Sequence, residues 1–274
     1  MIKSNPKVIL ITGCSSGFGN NTAKLLAENG DIVYTAVRKY GDLQKLKSIE
    51  NLHPVLLDVT WQQSRIDKTI TQIIGKERRI DVLINNAGFG LLGLSGNLTV
   101  DEIKIQFETN FFGQIKVTNS VLPFMRKRKN GLIIMINSIS GIVSTAFYGA
   151  YSASKFALDA ITATLRFEEA ANGINVVGIY PGSHQTDFWK NIKWGGNFPQ
   201  TNNKIKSIIS KISWHRENPI KVALKIKEII DLKHTRKEYI VGKSAHLIYY
   251  AYKLIPYDVF DWLGKKIAGR IIKN

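Results

Sequence analysis

The sequence alternates short apolar runs with longer stretches in which apolar residues recur at helical spacing, and this alternation constrains the fold more than any other feature. The first strand-like run, at 8–11, is followed by a helical pattern at 20–28. Further strand-like runs lie at 32–37, 53–57, 82–84, 132–136 and 175–179, and further helical patterns at 63–75, 101–127 and 151–171. Apolar runs without polar alternation are typical of strands covered on both faces. Because strand and helix follow each other in turn, we predict an α/β fold, a doubly wound parallel sheet with helices on both faces.

The regular alternation of strand-like runs and helical patterns ends after residue 182. Residues 183–218 begin with a segment rich in Trp, Phe, Asn and Gly and pass into a helical pattern at 203–214, and residues 243–274 form an aromatic, basic C-terminal extension. Ligands of an open α/β sheet bind beyond the carboxyl ends of its strands. We therefore predict that 183–218 cover that edge as a substrate loop or lid. No repeat or low-complexity linker divides the chain, and we predict that residues 1–274 form a single domain.

Composition excludes several classes of protein. The 274 residues are 44% hydrophobic, which is too many for a disordered polymer. No apolar run approaches the roughly 20 residues that span a bilayer. The single cysteine, Cys14, excludes an internal disulfide framework, and five scattered histidines lack the spacing of metal ligands. We expect no signal peptide, no metal and a cytoplasmic location.

The charge is strongly positive and unevenly distributed. The chain carries a net charge of +17, and residues 203–274 hold 16 basic and 6 acidic residues. Basic proteins are attracted to nucleic acids, to anionic membranes and to phosphorylated small molecules. A Lys- and Asn-rich bias of a solvated surface explains the charge equally well. Because no nucleic-acid recognition motif accompanies the charge, we expect no nucleic-acid partner.

A glycine-rich turn follows the first strand-like run and opens the first helical pattern. Glycines at this place permit a tight turn, and the helix N-terminus offers free amides and a positive dipole end to a pyrophosphate, as in a Rossmann-type fold. The turn alone is weak evidence, since many strand-to-helix turns need glycine. The residues predicted to hold a dinucleotide here are Thr12, Gly13, Ser15, Ser16, Gly17, Phe18 and Gly19.

The end of the second strand-like run indicates which dinucleotide is bound. Folds selective for NAD usually carry an acidic residue there, whereas an arginine accommodates the 2′-phosphate of NADP. No acid is present in 34–37, and Arg38 follows at once. Arg38 can pair with a phosphate, and Ser15 can add a hydrogen bond. We therefore predict NADP(H) as the cofactor, with NAD(H) as the alternative and a solvated surface Arg38 as the competing interpretation.

Tyr151 and Lys155 are four residues apart in a helical pattern and so share a face of that helix. A phenol has a pKa near 10, and a nearby ammonium group favours the phenolate and lowers that pKa. Tyr151 is therefore a candidate proton donor and acceptor. A Tyr-x-x-x-Lys pair alone is common and usually marks an ordinary helix face.

Taken together, the motifs resemble those of the classical short-chain dehydrogenase/reductase family. The resemblance rests on the glycine-rich turn, Asn85-Asn86-Ala87-Gly88, Asn110, Ser138, Tyr151-Ser152-Ala153-Ser154-Lys155 and Pro181-Gly182 followed by Thr186. The form of the glycine-rich turn, the Val37-Arg38 pair and the aromatic tail are similar to the 17β-hydroxysteroid and retinol dehydrogenase branch. The resemblance implies an NADP(H)-dependent oxidoreductase that interconverts a ketone or aldehyde and an alcohol.

The resemblance also implies a role for each matching catalytic residue. Tyr151 would act as general acid in reduction and as general base in oxidation. Lys155 would bind the nicotinamide ribose and lower the pKa of Tyr151, and Ser138 would bind the substrate oxygen. Asn110 would hold a water that links Lys155 to solvent. A helix-kinking structural role for Asn110 is the alternative.

The remaining motif residues would bind the cofactor. Asp58 and Val59 would contact adenine, and Asn86, Ala87 and Gly88 would line the adenosine ribose. Thr186 would hold the carboxamide, and Pro181 and Gly182 would form the close turn before it. His184, a lone histidine in the same segment, is expected to be a surface residue.

The substrate is visible only in outline. Apolar side chains follow three of the motifs and could wall a pocket for a bulky lipid-, steroid- or retinoid-like molecule, although several are equally expected in the core. They are Phe89, Leu91, Leu92, Ile139, Val143, Phe147, Phe188, Trp189, Trp194 and Phe198. The alternative to an enzyme is a non-catalytic NADP(H)-binding sensor on the same fold.

Two kinds of assembly are also predicted. The resemblance implies a homodimer or homotetramer built through the helices that carry Asn110 and Tyr151. In the C-terminal extension, Phe260, Leu263, Ile267 and Ile271 recur on one face of a predicted helix, with basic residues mainly on the other. Such a helix can lie in a membrane interface, or it can serve as a pocket lid or a subunit contact.

Overall fold

The computed structural model describes residues 5–47, 49–196, 203–207 and 216–273. Seven strands form one parallel sheet in the order β3-β2-β1-β4-β6-β7-β9. They are β1 (Val8–Thr12), β2 (Ile32–Val37), β3 (Leu52–Leu56), β4 (Val82–Asn85), β6 (Gly131–Ile136), β7 (Ile174–Pro181) and β9 (Glu238–Val241). The order reverses direction between β1 and β4. Ligands of doubly wound sheets bind at this reversal.

Helices cover both faces of the sheet. They are α1 (Gly17–Glu28), α2 (Tyr40–Leu46), α3 (Gln63–Glu77), α4 (Val100–Phe107), α5 (Gly113–Arg128), α6 (Gly149–Glu168), α7 (Ile220–Asp231), α8 (Lys243–Leu254) and α9 (Tyr257–Lys273). One apolar layer joins the sheet to α1, α2 and α7, and the other joins it to α3, α5 and α6. The structure confirms the predicted parallel sheet with helices on both faces.

The strand β1 shows why the apolar runs lack polar alternation. Ile9 and Ile11 point into the layer that contains α1, and Val8 and Leu10 point into the layer that contains α3. All four side chains are buried, so neither face of the strand tolerates polar residues.

Three local features differ from the sequence prediction. The helical pattern at 101–127 is divided by a π-helical turn at Glu108–Phe112, between α4 and α5. Helix α2 was not predicted. A small second sheet, in which β5 (Leu91–Leu92) pairs in parallel with β8 (Lys193–Trp194), was not predicted either. Strands of two residues carry too little periodicity to be recognised before their partner is known.

The predicted lid is described at 183–196, 203–207 and 216–218. Its first part is held to the sheet edge by the pairing of β5 with β8 and by a bridge between His184 and Glu217. Phe198 and most of the predicted helix at 203–214 lie outside the described residues. Within the part of the chain that the structure describes, no helix is long and apolar enough to cross a bilayer.

Candidate active site

The glycine-rich turn after β1 is hydrogen bonded to the segment that follows β4. The side-chain amide of Asn86 donates to the carbonyl oxygens of Thr12 at 2.8 Å and Gly13 at 3.0 Å. In return, Thr12 Oγ1 accepts from the backbone N–H groups of Asn86 and Ala87, each at 3.0 Å. Gly13 has a φ of +71°, and a Cβ on it would lie 2.8 Å from Ala87 Cα. The turn is therefore held in place by the protein itself, and glycine is required at this position.

Helix α1 begins against this turn with its N-terminus directed to the same edge of the sheet. Its N-cap, Ser16, has extended backbone and makes no side-chain capping bond, so the first turn through Gly17 and Phe18 keeps backbone amides for a ligand. A Cβ on Gly19 would lie 2.5 Å from Asn86 Nδ2. The geometry fits the pyrophosphate of a dinucleotide, which binds at a helix N-terminus with close backbone approach.

The adenosine end of the predicted cofactor site lies at the carboxyl ends of β2 and β3. The N–H groups of Gly13 and Cys14 donate to Ala36 O at 3.1 and 3.2 Å, which brings the glycine-rich turn beside the end of β2. Ser15 and Arg38 are both exposed there. Their exposure leaves both side chains accessible to a phosphate from solvent.

Asp58 and Val59, the residues predicted to contact adenine, follow β3. Asp58 Oδ1 accepts from the backbone N–H of Thr60 at 2.9 Å and from its hydroxyl at 2.8 Å, which fixes the carboxylate. Val59 is buried, and a Cβ on Gly113 would lie 2.7 Å from Val59 Cγ2. Helix α5 therefore packs directly on this turn.

Ser138, Tyr151 and Lys155 are brought together in a buried site. Ser138 follows β6, whereas Tyr151 and Lys155 lie in the first two turns of α6. The side chain of Ser138 lies close enough to that of Tyr151 for their hydroxyl groups to interact. Lys155 Nζ donates to Ile136 O at 2.7 Å, at the end of β6. All three side chains are buried.

Burial dominates the ionisation of this site. Burial raises the pKa of Tyr151 to about 12, and the neighbouring hydroxyl group of Ser138 opposes that rise. It also lowers the pKa of Lys155 to about 7, because a buried ammonium group loses its hydration. The expected lowering of the Tyr151 pKa by Lys155 is therefore wrong for this structure. Lys155 points to the carbonyl of Ile136, and desolvation weakens its own charged form.

Asn110 lies in the π-helical turn and is fully buried. Its side-chain amide hydrogens donate to Phe89 O at 2.9 Å and Ser154 Oγ at 3.4 Å, and its Oδ1 accepts from Phe89 N at 3.0 Å. Gly88 leaves space for this amide, since a Cβ there would lie 3.2 Å from Asn110 Oδ1. The structure thus gives Asn110 a positioning role, and the relay through a bound water stays a prediction.

The segment after β7 returns to the glycine-rich turn. Thr186 Cβ lies 3.6 Å from the position that a Cβ would take on Gly17. Gly182, directly after Pro181, packs against α8, where a Cβ on it would lie 2.4 Å from Ser244 Oγ. The backbone N–H of Ser183 donates to that hydroxyl at 3.0 Å. Ser244 is a positioning residue that the sequence analysis missed, because no motif marks it.

His184 is buried, with 2% of its surface exposed, and the expectation of a surface histidine is wrong. Its Nδ1 is 3.1 Å from Gly182 O, and its ring packs edge-on against Phe18 at 5.3 Å between centroids. Desolvation lowers its pKa. His184 therefore connects the segment before Thr186 to the first turn of α1. Its apolar neighbours come from distant parts of the sequence, so no local signal predicted its burial.

Aromatic side chains lie against Tyr151. The ring of Phe188 lies 5.6 Å from that of Tyr151, and a Cβ on Gly90 would lie 2.8 Å from Phe188 Cζ. Trp189 packs on Phe188 at 5.7 Å. Of the other predicted wall residues, those buried are Leu91, Leu92, Ile139, Val143 and Phe147. Leu91 also belongs to a small core cluster with Leu98 and Ala150, so part of the predicted wall is core.

The described residues form no competing centre elsewhere in the fold. A cavity of about 570 Å³ between β3 and α3 shares none of the residues described above. Among the residues that the structure describes, no group of three His, Cys, Asp or Glu side chains is placed to hold a metal ion. The residues around Tyr151 remain the candidates for acid–base chemistry.

The chain belongs to the short chain dehydrogenase family, whose sequence model matches residues 7–195. It is 42% identical to a 3-ketodihydrosphingosine reductase of Bacteroides thetaiotaomicron over 68% of this chain and 67% of that protein. It is 33% identical to human retinol dehydrogenase 8 over 67% of this chain and 60% of that protein. Over 97% of its length, it is 29% identical to an NADPH-dependent 3-dehydrocapnine reductase of Ornithobacterium rhinotracheale, of which 98% is covered.

Solved structures show the same fold. A short-chain dehydrogenase from Streptomyces avermitilis superposes with a TM-score of 0.84 and 28% identity, covering 97% of this chain and 98% of that one. ElxO with NADP bound superposes with a TM-score of 0.74 and 25% identity, covering 86% and 96%. The predicted resemblance to the family, including relatives of the retinol dehydrogenase type, is confirmed.

Proposed function

We propose that this protein is an NADP(H)-dependent oxidoreductase that interconverts a ketone and an alcohol on a bulky apolar, lipid-like substrate. The burial of Ser138, Tyr151 and Lys155 together in one site carries the proposal. A binding protein without catalysis has no need for two neighbouring hydroxyl groups and an amine in a buried site. The two hydroxyl groups place a proton donor and a second polar group where a carbonyl oxygen can bind.

The chain's own residues fit a dinucleotide. Asn86 holds the turn at Gly13, and Gly19 allows α1 to approach that turn closely, since a Cβ there would lie 2.5 Å from Asn86 Nδ2. The first turn of α1 would hold the pyrophosphate, Arg38 the 2′-phosphate, and Lys155 the nicotinamide ribose. The bound cofactor would supply the hydride. Support for the phosphorylated form comes from the exposed Arg38 and from ElxO, whose structure contains NADP.

In reduction, Ser138 would donate a hydrogen bond to the carbonyl oxygen, and Tyr151 would transfer its proton to that oxygen. A phenol whose pKa is raised to about 12 is fully protonated at neutral pH, which suits the role of acid. In oxidation the same group must first lose its proton.

The names of two relatives favour one class of substrate over the others. They specify a 3-keto dihydrosphingosine and a 3-dehydro capnine, so both describe a ketone at position 3 of a lipid. Phe188 and its aromatic neighbours beside Tyr151 supply apolar surface for a chain of that kind. We therefore place a 3-keto lipid ahead of a retinoid or a steroid.

The test measures NADPH oxidation by the purified protein with 3-ketodihydrosphingosine, retinal and a ketosteroid, each presented in the same detergent. We expect the highest kcat/KM with the keto lipid. Turnover of only retinal or the steroid would overturn the substrate class. NADPH binding without turnover of any of the three would instead support the non-catalytic sensor.

A further inference from the structure

Helix α8 carries an apolar stripe that no described part of the protein covers. Leu247, Tyr250 and Leu254 recur at helical spacing, and Leu247 and Leu254 are 73% and 79% exposed. Residues spaced three and four apart lie on one face of a helix. Only Ala245 of this helix is buried. The apolar stripe thus faces away from the sheet.

Helix α9 extends the same kind of surface. Val259, Leu263 and Ile267 are all exposed and recur at spacings of four. Trp262 lies at the border of this stripe, 58% exposed, with Lys266 Nζ 4.6 Å from the centre of its ring. The two helices meet where Tyr252 packs on Phe260, at 5.5 Å between ring centroids. Indole and phenol rings are the side chains that favour a membrane–water interface.

Exposed basic side chains on the same two helices accompany this apolar surface, and we call them its rim. Residues 243–274 contain six basic and two acidic residues. Asp261 is neutralised by Lys265 at 2.6 Å. Lys243, Lys253, Lys266 and Arg270 are exposed at the rim. Basic groups beside a bilayer are attracted to anionic headgroups.

The positive charge of the rim distinguishes between two possible partners of the surface, a second copy of the chain and an anionic bilayer. A second copy docked symmetrically would bring one basic rim against another, and the like charges would repel. An anionic bilayer would receive the apolar stripes in its interface and the basic groups among its headgroups. Charge complementarity therefore favours the bilayer.

We propose that α8 and α9 form a docking surface for an anionic membrane interface, with both helices lying in the plane of the headgroups. The surface is defined by the exposed side chains of Leu247, Tyr250, Leu254, Val259, Trp262, Leu263 and Ile267. This proposal stands on the exposed surface alone and does not require the proposed activity.

The docking surface is also connected to the active site. Ser244 and Ala245 in the first turn of α8 pack on Gly182, and α8 contacts the turn Ile139–Gly141 next to Ser138. An apolar substrate that leaves the bilayer near α8 would therefore enter the protein close to Tyr151. Docking would bring the active site near the interface where such substrates dissolve.

The first experiment is sedimentation of the full chain with vesicles of phosphatidylcholine alone or mixed with phosphatidylglycerol, at low and high salt. We expect binding to the anionic vesicles at low salt and release at high salt, because salt screens the attraction. A chain that stays in the supernatant at low salt, or that binds both vesicles equally, would overturn the proposal.

The second experiment changes the apolar stripes. The triple variant Leu247→Ser, Leu254→Ser, Leu263→Ser should lose at least about tenfold of its vesicle partitioning, because three exposed apolar side chains leave the interface. The matched control carries Val100→Ser, Phe167→Ser and Leu224→Ser, which are exposed apolar residues elsewhere on the surface. The control should bind as the wild type does, and an equal loss in both variants would overturn the proposal.

The third experiment changes the rim. Lys266→Glu with Arg270→Glu should reduce binding to anionic vesicles by at least about tenfold. Lys24→Glu with Lys68→Glu changes the net charge equally on exposed residues of α1 and α3 and should have little effect. Size-exclusion chromatography of every variant measures the oligomeric state and so tests whether a second copy of the chain covers the surface instead. A stripe variant with a changed oligomeric state but unchanged vesicle binding would show a subunit contact and overturn the proposal.

Discussion

The side-chain amide of Asn110 bonds both backbone polar groups of Phe89, accepting from its N–H at 3.0 Å and donating to its carbonyl at 2.9 Å. This pair joins the π-helical turn to the segment that follows the Asn86-Ala87-Gly88 motif. The carbonyl of Phe89 also accepts from Gln106 Nε2 at 2.9 Å. Two amide side chains therefore set the path of the backbone that leads from the cofactor site to Gly90 and Phe188.

Replacing Asn110 with Ala should lower the free energy of unfolding by about 1–3 kcal/mol, because the buried N–H of Phe89 loses its acceptor. Chemical denaturation measures this loss. Ser154→Ala removes the 3.4 Å contact to Asn110 and the bond from Ser154 Oγ to Tyr151 O at 2.7 Å, and should cost less because no backbone N–H loses its acceptor. A variant Asn110→Ala with full stability and no turnover would instead assign Asn110 to proton relay alone.

Replacing Tyr151 with Phe should abolish NADPH-dependent reduction and leave NADPH affinity nearly unchanged, because the ring remains while the transferable proton is lost. Steady-state kinetics and fluorescence titration with NADPH separate the two effects. Tyr34→Phe is the control, since its hydroxyl donates to Glu77 at 2.7 Å outside the site. That variant should retain turnover, and substantial activity of Tyr151→Phe would disprove the mechanism.

Replacing Lys155 with Met should change how stability depends on pH. Between about pH 7 and 10 the native amine is neutral, because burial lowers the pKa of Lys155 to about 7, whereas the unfolded lysine still holds its proton. The unfolded state therefore binds more protons, and the stability of the wild type rises with pH. The free energy of unfolding should rise relative to Lys155→Met by up to about 1.4 kcal/mol per pH unit.

The measurement is urea unfolding of both proteins without cofactor across that pH range. Below pH 7 both states of the wild type hold the proton, and the difference between the two proteins should become independent of pH. Parallel curves over the whole range would show that Lys155 is not desolvated as the structure indicates.

Replacing Arg38 with Leu should weaken NADPH binding by about 1.5–3 kcal/mol and leave NADH binding nearly unchanged, because a charged hydrogen bond to the 2′-phosphate is lost. Isothermal titration with each cofactor measures the difference. Lys39→Leu, at the adjacent exposed base, is the matched control. Equal weakening of both cofactors would remove the role of Arg38 in recognising the 2′-phosphate.

Replacing Gly19 with Ala should weaken NADPH binding, because the new Cβ would lie 2.5 Å from Asn86 Nδ2 and 2.6 Å from Gly13 O and displace the glycine-rich turn. Gly75→Ala is the same change in another helix, with no atom within 4 Å of the new Cβ. The control should gain about 0.5–1 kcal/mol of stability. Unaltered cofactor affinity in Gly19→Ala would show that the turn tolerates the displacement.

Local patterns in the sequence were sufficient to predict the parallel sheet and to recognise the family. The burial of β1 on both faces could be predicted from its unbroken apolar run, because that pattern is contained in a few consecutive residues. The motifs around Gly13 and Tyr151 are likewise short, and their spacing along the chain is enough to recognise them. The short elements α2, β5 and β8 escaped prediction because they carry too few residues to show a period.

The sequence by itself determined which residues are the candidates for catalysis, and only the tertiary structure decided what surrounds them. The apolar setting that buries His184 and the anchoring of Ser183 by Ser244 arise from elements far apart in the chain. The raised pKa of Tyr151 and the lowered pKa of Lys155 come from desolvation, which depends on all packed neighbours together. The amphipathic pattern of α9 was visible beforehand, but its exposure was not, because a pattern shows that a helix has an apolar face and only packing shows whether that face is covered.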